Sequence, residues 1–390
     1  PMFEGVCPAT FTYDAVGGNM QVFVAGDFNG FDETVTPLEE VEAGTFEVTL
    51  DLEPGVHAYK FYVLGDNQEP WRLDPANAYR AYRGGIENSG KRVYDCSRPE
   101  LRITTSQVAA QTFEADIQYV RGFAGPLETV TVEKRTTTGW DVVTPSVDIV
   151  DDTLTVSMDG LADGKHTLRV TATDDMGEVS DAAFFPFWIG DDFEWEDATV
   201  YMIMTDRFRN GDPQNDDNTQ ATNGAGWMGG DLQGLTQSIR DGYFDDLGVN
   251  AIWLTPFNTN PPTAYNDQGG QYQVTGYHGY WPTEPREVDP RLGGNDALKE
   301  MVAAAHENGI RILMDLVLNH VHEDHPYVTS NPEWFNEGCL CGTANCDWTV
   351  RRLDCLFRPY MPDINWQNQE ASEQFLADAM WWIEEFDLDG

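Results

Sequence analysis

The run "RILMDLVLNHVHEDH", beginning at Arg311, places a carboxylate, Asp315, within an apolar strand-like stretch that ends in Asn319 and His320. A carboxylate there needs hydrogen-bonding or cationic partners, because an unpaired buried charge is costly. We read Asp315 as a group that orients its neighbours, and Asn319 and His320 as groups offered at a strand tip. The stretch "GYHGYWPTEPREVDP" sets His278, Tyr280 and Trp281 beside glycine. Exposed aromatic faces of this kind suit the apolar C–H faces of sugar rings; plain aromatic packing is the alternative. The loop "NGDPQNDD" holds Asn210, Asp212, Asn215 and Asp216, with Asp231 downstream of a Gly-Gly pair. Such oxygen-rich loops bind hard cations like calcium, although the spacing is not that of an EF-hand. Cys339, Cys341, Cys346 and Cys355 crowd into one stretch, and Cys7 and Cys96 bracket the first hundred residues. The C-x-C-x4-C-x8-C spacing could hold zinc, but an even, clustered set in an acidic chain favours two disulfides there, of open pairing, and a third between Cys7 and Cys96.

The elements that must position these groups fall into distinct styles. Residues 1–96 alternate in short runs such as "MQVFVAGDFNGFD", "GTFEVTLDLEPG" and "VHAYKFYVLGD", with turn residues between them, which predicts a β-sandwich. Residues 97–190 repeat the style in "TFEADIQYV", "ETVTVEKRT", "TLTVSMDGL" and "KHTLRVTATDDMG", predicting a second, immunoglobulin-like sandwich that serves as a spacer. From residue 191 strand and helix alternate, which calls for a parallel sheet. "ATVYMIM", "VNAIWLTPF" and "IRILMDLVLNH" are the expected strands. "LQGLTQSIRDGYFDDLG" is an expected helix with Leu235, Ile239 and Leu247 on one side, "NDALKEMVAAAHENG" a helix capped by Asn295, and "NQEASEQFLADAMWWIEEFD" a third. Leu388 is expected to begin a fourth strand, and a Cys-containing excursion over about 321–362 interrupts the third unit. Function gathers at the C-terminal ends of strands in such sheets, which is where Thr205-Asp206-Arg207, Thr255-Pro256 and Asn319-His320 fall.

Composition narrows the partners. The 390 residues carry 23 basic and 66 acidic side chains, a net charge of −43. Such a surface repels nucleic acid and anionic lipid and suits a neutral substrate or cations. No apolar run approaches the roughly 20 residues needed to span a bilayer. Scarce Lys, abundant Asp and paired Cys fit a secreted or periplasmic protein.

Residues 198–390 resemble the first half of the α-amylase family of glycoside hydrolases (family 13). The resemblance rests on an ordered series: "YMIMTDRFRNGDPQNDD", "GGDLQGLTQSIRDGYFDDLGVNAIWLTPF", "GYHGYWPTEPREVDPRLGGNDALKEMV", "DLVLNH" and "MPDIN". It implies a multidomain protein in which the two sandwiches precede the first part of a (β/α)8 TIM barrel, residues 191–390, with the excursion as an inserted domain. It also implies retaining hydrolysis of α-glucosidic bonds in starch, glycogen or maltodextrins. Tyr280 would stack on the sugar at the cleavage subsite, His320 would hydrogen-bond it, His278 and Trp281 would line the site, and Asp315 would be their structural partner. Asn210, Asp212, Asn215, Asp216, the Gly229 carbonyl and Asp231 would hold calcium, and Asn319 and Asp363 a second ion. Residues 1–96 resemble glycogen- and starch-binding sandwiches through "VFVAGDFNGF", "YKFYV" and "WRLDPAN". Lys60 and Trp71 fall where such modules contact glucan, with Phe31 where a Trp is usual. The family places its nucleophile just after a segment like "FDLDG", so the catalytic carboxylates are expected beyond Gly390. The chain is then expected to be an inactive fragment with a poorly stable third domain, continued by an Arg and, two positions later, the nucleophilic Asp. A glucan transferase or branching enzyme, and a non-catalytic carbohydrate-binding protein, remain the alternatives.

Overall fold

The computed structural model describes residues 5–15, 20–66, 68–123, 125–137, 139–219, 221–222, 224–267 and 270–390. The chain forms two compact units, one comprising 1–135, 140–161 and 167–186, the other 136–139, 162–166 and 187–390.

In the first unit, alternation of side chains sets the layers. Strand Cys7–Asp14 turns Cys7, Ala9, Phe11 and Tyr13 inward and the intervening residues outward, as the period of two requires. It pairs antiparallel with Thr45–Leu52, which continues to Glu39–Glu42. A second sheet runs Gln21–Gly26, Gly55–Leu64, Ile86–Val93 and Arg80–Arg83, with Trp71–Arg72 beside Gly55–Leu64. Val22, Val24, Tyr59, Phe61 and Val63 of this sheet share one core with the first sheet. Phe11 meets Tyr59 edge-on at 4.9 Å and Tyr13 meets Phe61 at 5.0 Å. A one-residue slip would turn every one of these rings into water. The Cys7–Cys96 disulfide ties the first strand to the module's end.

The next sheets follow the same rule. Thr112–Val120 is central, flanked by Glu100–Ala109 and Thr153–Met158, with Ser146–Val150 at the edge. The other sheet is ordered Gly139–Val143, Leu127–Thr136, Gly164–Asp174, Ala183–Ile189. Phe113 and Phe185 join the two layers at 5.6 Å. Glu100–Ala109 escapes sequence reading because it is exposed along most of its length and shows no alternation; its ladder to Thr112–Val120 makes it a strand.

The second unit contains a parallel sheet of Val200–Ile203, Ala251–Leu254 and Arg311–Met314 in register. Leu254, Ile252, Ile203 and Ile312 pack into one core with Leu232, Leu235, Ile239, Leu298, Met301 and Trp382 from the crossover helices. Past the last helix, Gln369–Phe386, Asp389 N–H donates to the Ile312 carbonyl and Gly390 O accepts from Met314 N–H. These two bonds hold the end of the chain against Arg311–Met314.

Several local expectations are corrected. The helix from Leu232 stops at Arg240, because Gly242 adopts a left-handed φ of 79° and redirects the chain into the short helix Tyr243–Asp246. Leu247 therefore leaves the apolar stripe and is 51% exposed. Asn295 is not a cap; it lies inside helix Gly294–Glu307 and accepts the Val288 N–H. The third strand ends at Met314, so Asp315 stands at its exit and not within it.

Candidate functional site

The strand exits converge on a small polar cluster. Tyr280 Oη donates to Asp315 Oδ2 at 2.6 Å. Burial first, then this bond and the carboxylate's charge, push the Tyr280 phenol up to about 12, so it stays protonated and donating. Gly279 makes the approach possible: φ is 86° there, and a Cβ would lie 1.9 Å from the Pro256 carbonyl at the second strand's exit. Tyr280 N–H donates to His278 Nδ1 at 3.0 Å. Burial, then the proximity of His320 and Arg207, lowers His278 to about 4, leaving a neutral imidazole. His320 is buried, and burial lowers its pKa as well. Its Nε2 donates to the Tyr280 carbonyl at 2.9 Å while Nδ1 faces the Asn319 amide at 3.3 Å. Both ring nitrogens are thus engaged, and the imidazole steadies the Tyr280 backbone.

Trp281 is corrected from an exposed face to a buried ring. It stands edge-on to His278 at 4.7 Å and to Tyr360 at 5.4 Å, and the Trp281 backbone N–H donates to Asn260 Oδ1. Sequence reading passed over Asn260, although "TPFNTNPP" follows the second strand. Its amide also donates to the Asn258 and Gly279 carbonyls, pinning the His278–Trp281 turn. It likewise gave no role to Arg207, whose guanidinium lies 3.7 Å from the Tyr277 ring centroid, pairs with Asp206 and donates to the Gly224 and Gly226 carbonyls.

The oxygen-rich loop closes beside the first strand's exit. Asn210 Nδ2 donates to Asp216 Oδ1 at 2.7 Å, and a Cβ on Gly229 would lie 2.4 Å from that same oxygen. Asp231 is fully buried as the N-cap of helix Leu232–Arg240; its carboxylate accepts from Gly211, Asp212 and Gly234 N–H and from the Asn215 amide. Asn215 Oδ1 is buried without a hydrogen-bond partner. The Asp231 and Asp216 carboxylates already accept N–H donors, so the open oxygen that suits a hard cation in this loop is the orphaned amide oxygen of Asn215. Among the described residues no group of three or more His, Cys, Asp or Glu side chains forms a metal cluster, so any ion here depends on amide and carbonyl oxygens.

The second expected ion does not fit. Asn319 Nδ2 donates to Asp363 Oδ1 at 3.1 Å and Asn336 Nδ2 to Oδ2 at 2.8 Å, so both oxygens already hold amide donors. Burial raises the Asp363 carboxyl to about 6. These direct bonds, with strand Phe335–Asn336 against Asp363–Ile364, fasten the inserted segment. All its cysteines are oxidised, as Cys339–Cys346 and Cys341–Cys355, which resolves the pairing and removes the zinc alternative.

On the N-terminal module, Tyr62 stands opposite Trp71 in register, and the rings meet at 5.3 Å. Lys60 lies two residues before Tyr62 and so on the same face. Trp71 is 39% exposed. Tyr62 was missed, although the alternation of "YKFYV" places it with Lys60. Phe31 sits in the turn after Gly26 with a left-handed φ of 57°.

Residues 202–339 match the family described as "Alpha amylase, catalytic domain", and residues 7–91 match "Glycogen recognition site of AMP-activated protein kinase". The periplasmic alpha-amylase of Escherichia coli (strain K12) is 40% identical over 135 residues, covering 33% of this chain and 20% of that protein. A cyclomaltodextrinase of Bacillus sp is 31% identical over 220 residues, covering 53% of this chain and 35% of that protein. A cyclomaltodextrin glucanotransferase of Paenibacillus macerans is 31% identical over 179 residues, covering 42% and 25%. The chain thus spans between 20% and 35% of the length of these curated relatives.

Proposed function

We propose that the chain is part of a retaining α-glucan hydrolase acting on starch, glycogen or maltodextrins, because residues 202–339 match the α-amylase catalytic domain and residues 7–91 a glycogen-recognition module. The observation that carries this reading is the Tyr280–Asp315 bond at 2.6 Å, flanked by two neutral imidazoles at adjoining strand exits. In retaining hydrolysis one carboxylate attacks the anomeric carbon while an acid protonates the leaving oxygen. The residues of this chain bind and orient the sugar for that step. Tyr280, its hydroxyl fixed by Asp315, offers a ring face to the sugar. His278 and His320 stay uncharged near neutral pH, and a sugar hydroxyl reaches His320 by replacing the Tyr280 carbonyl on Nε2. Lys60, Tyr62 and Trp71 form a second glucan contact on the N-terminal module, with Phe31 at its margin.

Calcium fits the loop of Asn210, Asp212, Asn215, Asp216, the Gly229 carbonyl and Asp231; there it would supply fixed positive charge that holds the loop against the first strand's exit. The disulfides, and the similarity to a periplasmic α-amylase, support a secreted or periplasmic setting. No helix among the described residues is long and apolar enough to cross a membrane. Similarity to a glucanotransferase keeps transfer to a sugar acceptor as the second reading.

The test is calorimetric titration of the chain with maltoheptaose, with Trp71→Ala in the background to silence the module. Tyr280→Ala should weaken binding roughly tenfold, the loss of about 1.4 kcal/mol of ring contact. Unchanged affinity would remove the strand-exit cluster from the sugar site.

A further inference from the structure

A cavity of about 560 Å³ in the first unit is lined by Lys91, Arg92, Arg98, Arg102 and Arg121, with only Asp95 and Glu100 as lining carboxylates. Acids outnumber bases by 66 to 23 in the whole chain, so this lining inverts the prevailing sign of charge. The cavity is built on tied backbone. It lies where strand Ile86–Val93 runs out toward the Cys7–Cys96 disulfide and strands Glu100–Ala109 and Thr112–Val120 pair. Phe123 N–H donates to the Cys96 carbonyl at 2.7 Å, and a Cβ on Gly122 would lie 1.9 Å from that oxygen, so only glycine permits the approach.

The cations keep donors in reserve. Lys91 Nζ donates to the Thr10 carbonyl at 2.7 Å and lies 5.6 Å from the Phe11 ring centroid, and it makes no salt bridge among the described residues. Burial lowers its pKa; Asp74 opposes that shift and the Arg102 charge adds to it. An anion would relieve both the burial and the like charge. Arg102 engages Glu100 through Nε and Nη2, and Arg121 engages Asp152 through the same two atoms. Among the described residues the Nη1 of each is uncommitted. Arg98 pairs with Asp181. All three guanidiniums are substantially exposed, and ion pairs of that kind hold their members only weakly.

We propose that this cavity binds the phosphate group of a phosphorylated sugar. Lys91, Arg102 and Arg121 come from three different segments, so their donors approach from several sides. A tetrahedral phosphate can accept from all of them, whereas a planar carboxylate is matched by a single guanidinium fork. The volume is in the ordinary range for small-molecule sites and exceeds what a bare phosphate fills. Tyr94 and Phe123, each about half exposed, line the remainder and offer ring faces to a sugar. Lys60, Tyr62 and Trp71 do not line this cavity, so the site is separate from the glucan contact on the same module and stands without the α-glucan reading. A chain of net charge −43 repels anions in general; a local basic cavity selects the one that carries enough charge and donors' worth of oxygens to enter.

The test is calorimetric titration of the full chain carrying Trp71→Ala, which silences the glucan contact, with glucose 6-phosphate, inorganic phosphate and glucose at one ionic strength held with sodium chloride. Glucose 6-phosphate should bind more tightly than inorganic phosphate, and glucose should give no heat. Lys91→Met and, separately, Arg102→Gln should each weaken glucose 6-phosphate binding roughly tenfold, the loss of one charge-assisted hydrogen bond. Arg102 is exposed, so its variant decides the matter if Lys91→Met fails to fold by circular dichroism. Equal affinity for the two phosphates would overturn the sugar and assign the cavity to free phosphate. No heat from either at millimolar concentration, or full affinity in folded Arg102→Gln, would overturn the site.

Discussion

The first sandwich and the parallel sheet solve the same packing problem to different extents. In the sandwich, each sheet covers the other, and Phe11, Tyr59 and Phe61 are buried by partners within the first hundred residues. In the parallel sheet one face is packed along its length, while the other is covered at Ala251 and Arg311 and open further along. Ile203, Ile252, Leu254 and Ile312 meet the crossover helices, while Met202, Trp253 and Leu313 share a register row on the other face. Met202 and Trp253 are 44% and 42% exposed. Antiparallel neighbours finish a core locally, whereas a parallel sheet needs crossovers for every face it closes. The second unit makes up part of the difference with ionic clamps. Asp389 accepts from Lys165 Nζ at 2.6 Å, His306 Nε2 at 2.9 Å and the Ile312 N–H at 2.9 Å. Asp289 grips Arg291, which also reaches Asp217 and covers the Trp227 ring at 4.2 Å.

The sharpest way to break this contrast is Asp389→Ala. Lys165 and Asp389 are almost wholly buried, so removing the carboxylate leaves a buried ammonium with only the Asp387 carbonyl at 3.2 Å and its carboxylate at 3.9 Å. The expected cost is about 3–5 kcal/mol, confined to the second unit and read as a lowered urea midpoint of its transition. The pH response follows in sign. Burial opposes ionisation of Asp389, but the His306 bond and the Lys165 charge prevail and hold the carboxyl at about 2, below its unfolded value. Its stabilisation is therefore present above the unfolded pKa of about 4 and lost as pH falls through about 2. The variant should lack that acid-dependent loss; an unaltered acid titration of stability would refute the clamp.

This clamp also marks where sequence reading stops. Helix Gln369–Phe386 and the parallel strands were legible from periodicity, and Asn319-His320 as polar residues at a strand exit, whereas Tyr280 and Asp315 were joined to them only by the family resemblance. Asp389 was not legible, since its partners lie 224 and 83 residues away and nothing local distinguishes it from other acids in an acidic chain. The same holds for Trp281, which reads as an exposed aromatic until Tyr265 and Tyr360 cover it. The break at Gly242 was missed for a different reason: the apolar spacing runs on through it, and only the backbone angle shows the turn. Cysteine pairing in the crowded segment was undecidable, because spacing permits more than one connectivity.

A second, smaller effect belongs to the sandwich. Cys7–Cys96 spans 89 residues, and closing so long a loop in the unfolded chain contributes about 2–4 kcal/mol. Cys7→Ser with Cys96→Ser should lower the sandwich transition by that amount and leave the second unit's unchanged. Coincident loss in both would show that the units do not unfold independently.

The oxygen-rich loop offers the next test. If Asn215 Oδ1 awaits a cation, calcium at a hundredfold over its Kd should stabilise the second unit by about 2.7 kcal/mol, a rise in melting temperature reversed by chelator. Asp212→Ala should abolish that response. A melting curve indifferent to calcium in the unmodified chain would leave the loop held by its hydrogen bonds alone.

The smallest expected effect is the most direct measure of the open face. Trp253 stands between Met202 and Leu313 in register, large and apolar, a residue whose loss from a closed core would cost about 3–5 kcal/mol. Here its ring is substantially in solvent, so little apolar area returns to water when it is removed. Trp253→Gln should therefore change the stability of the second unit by no more than about 0.5 kcal/mol, with the same urea slope as the parent chain. Its neighbour Ile252, fully buried one residue away, supplies the internal contrast: the side chains alternate, so one position reports the packed face and the next the open one. A loss of several kcal/mol from Trp253→Gln would mean that this face is covered in solution, and the contrast between sandwich and parallel sheet would then be one of partners and not of packing.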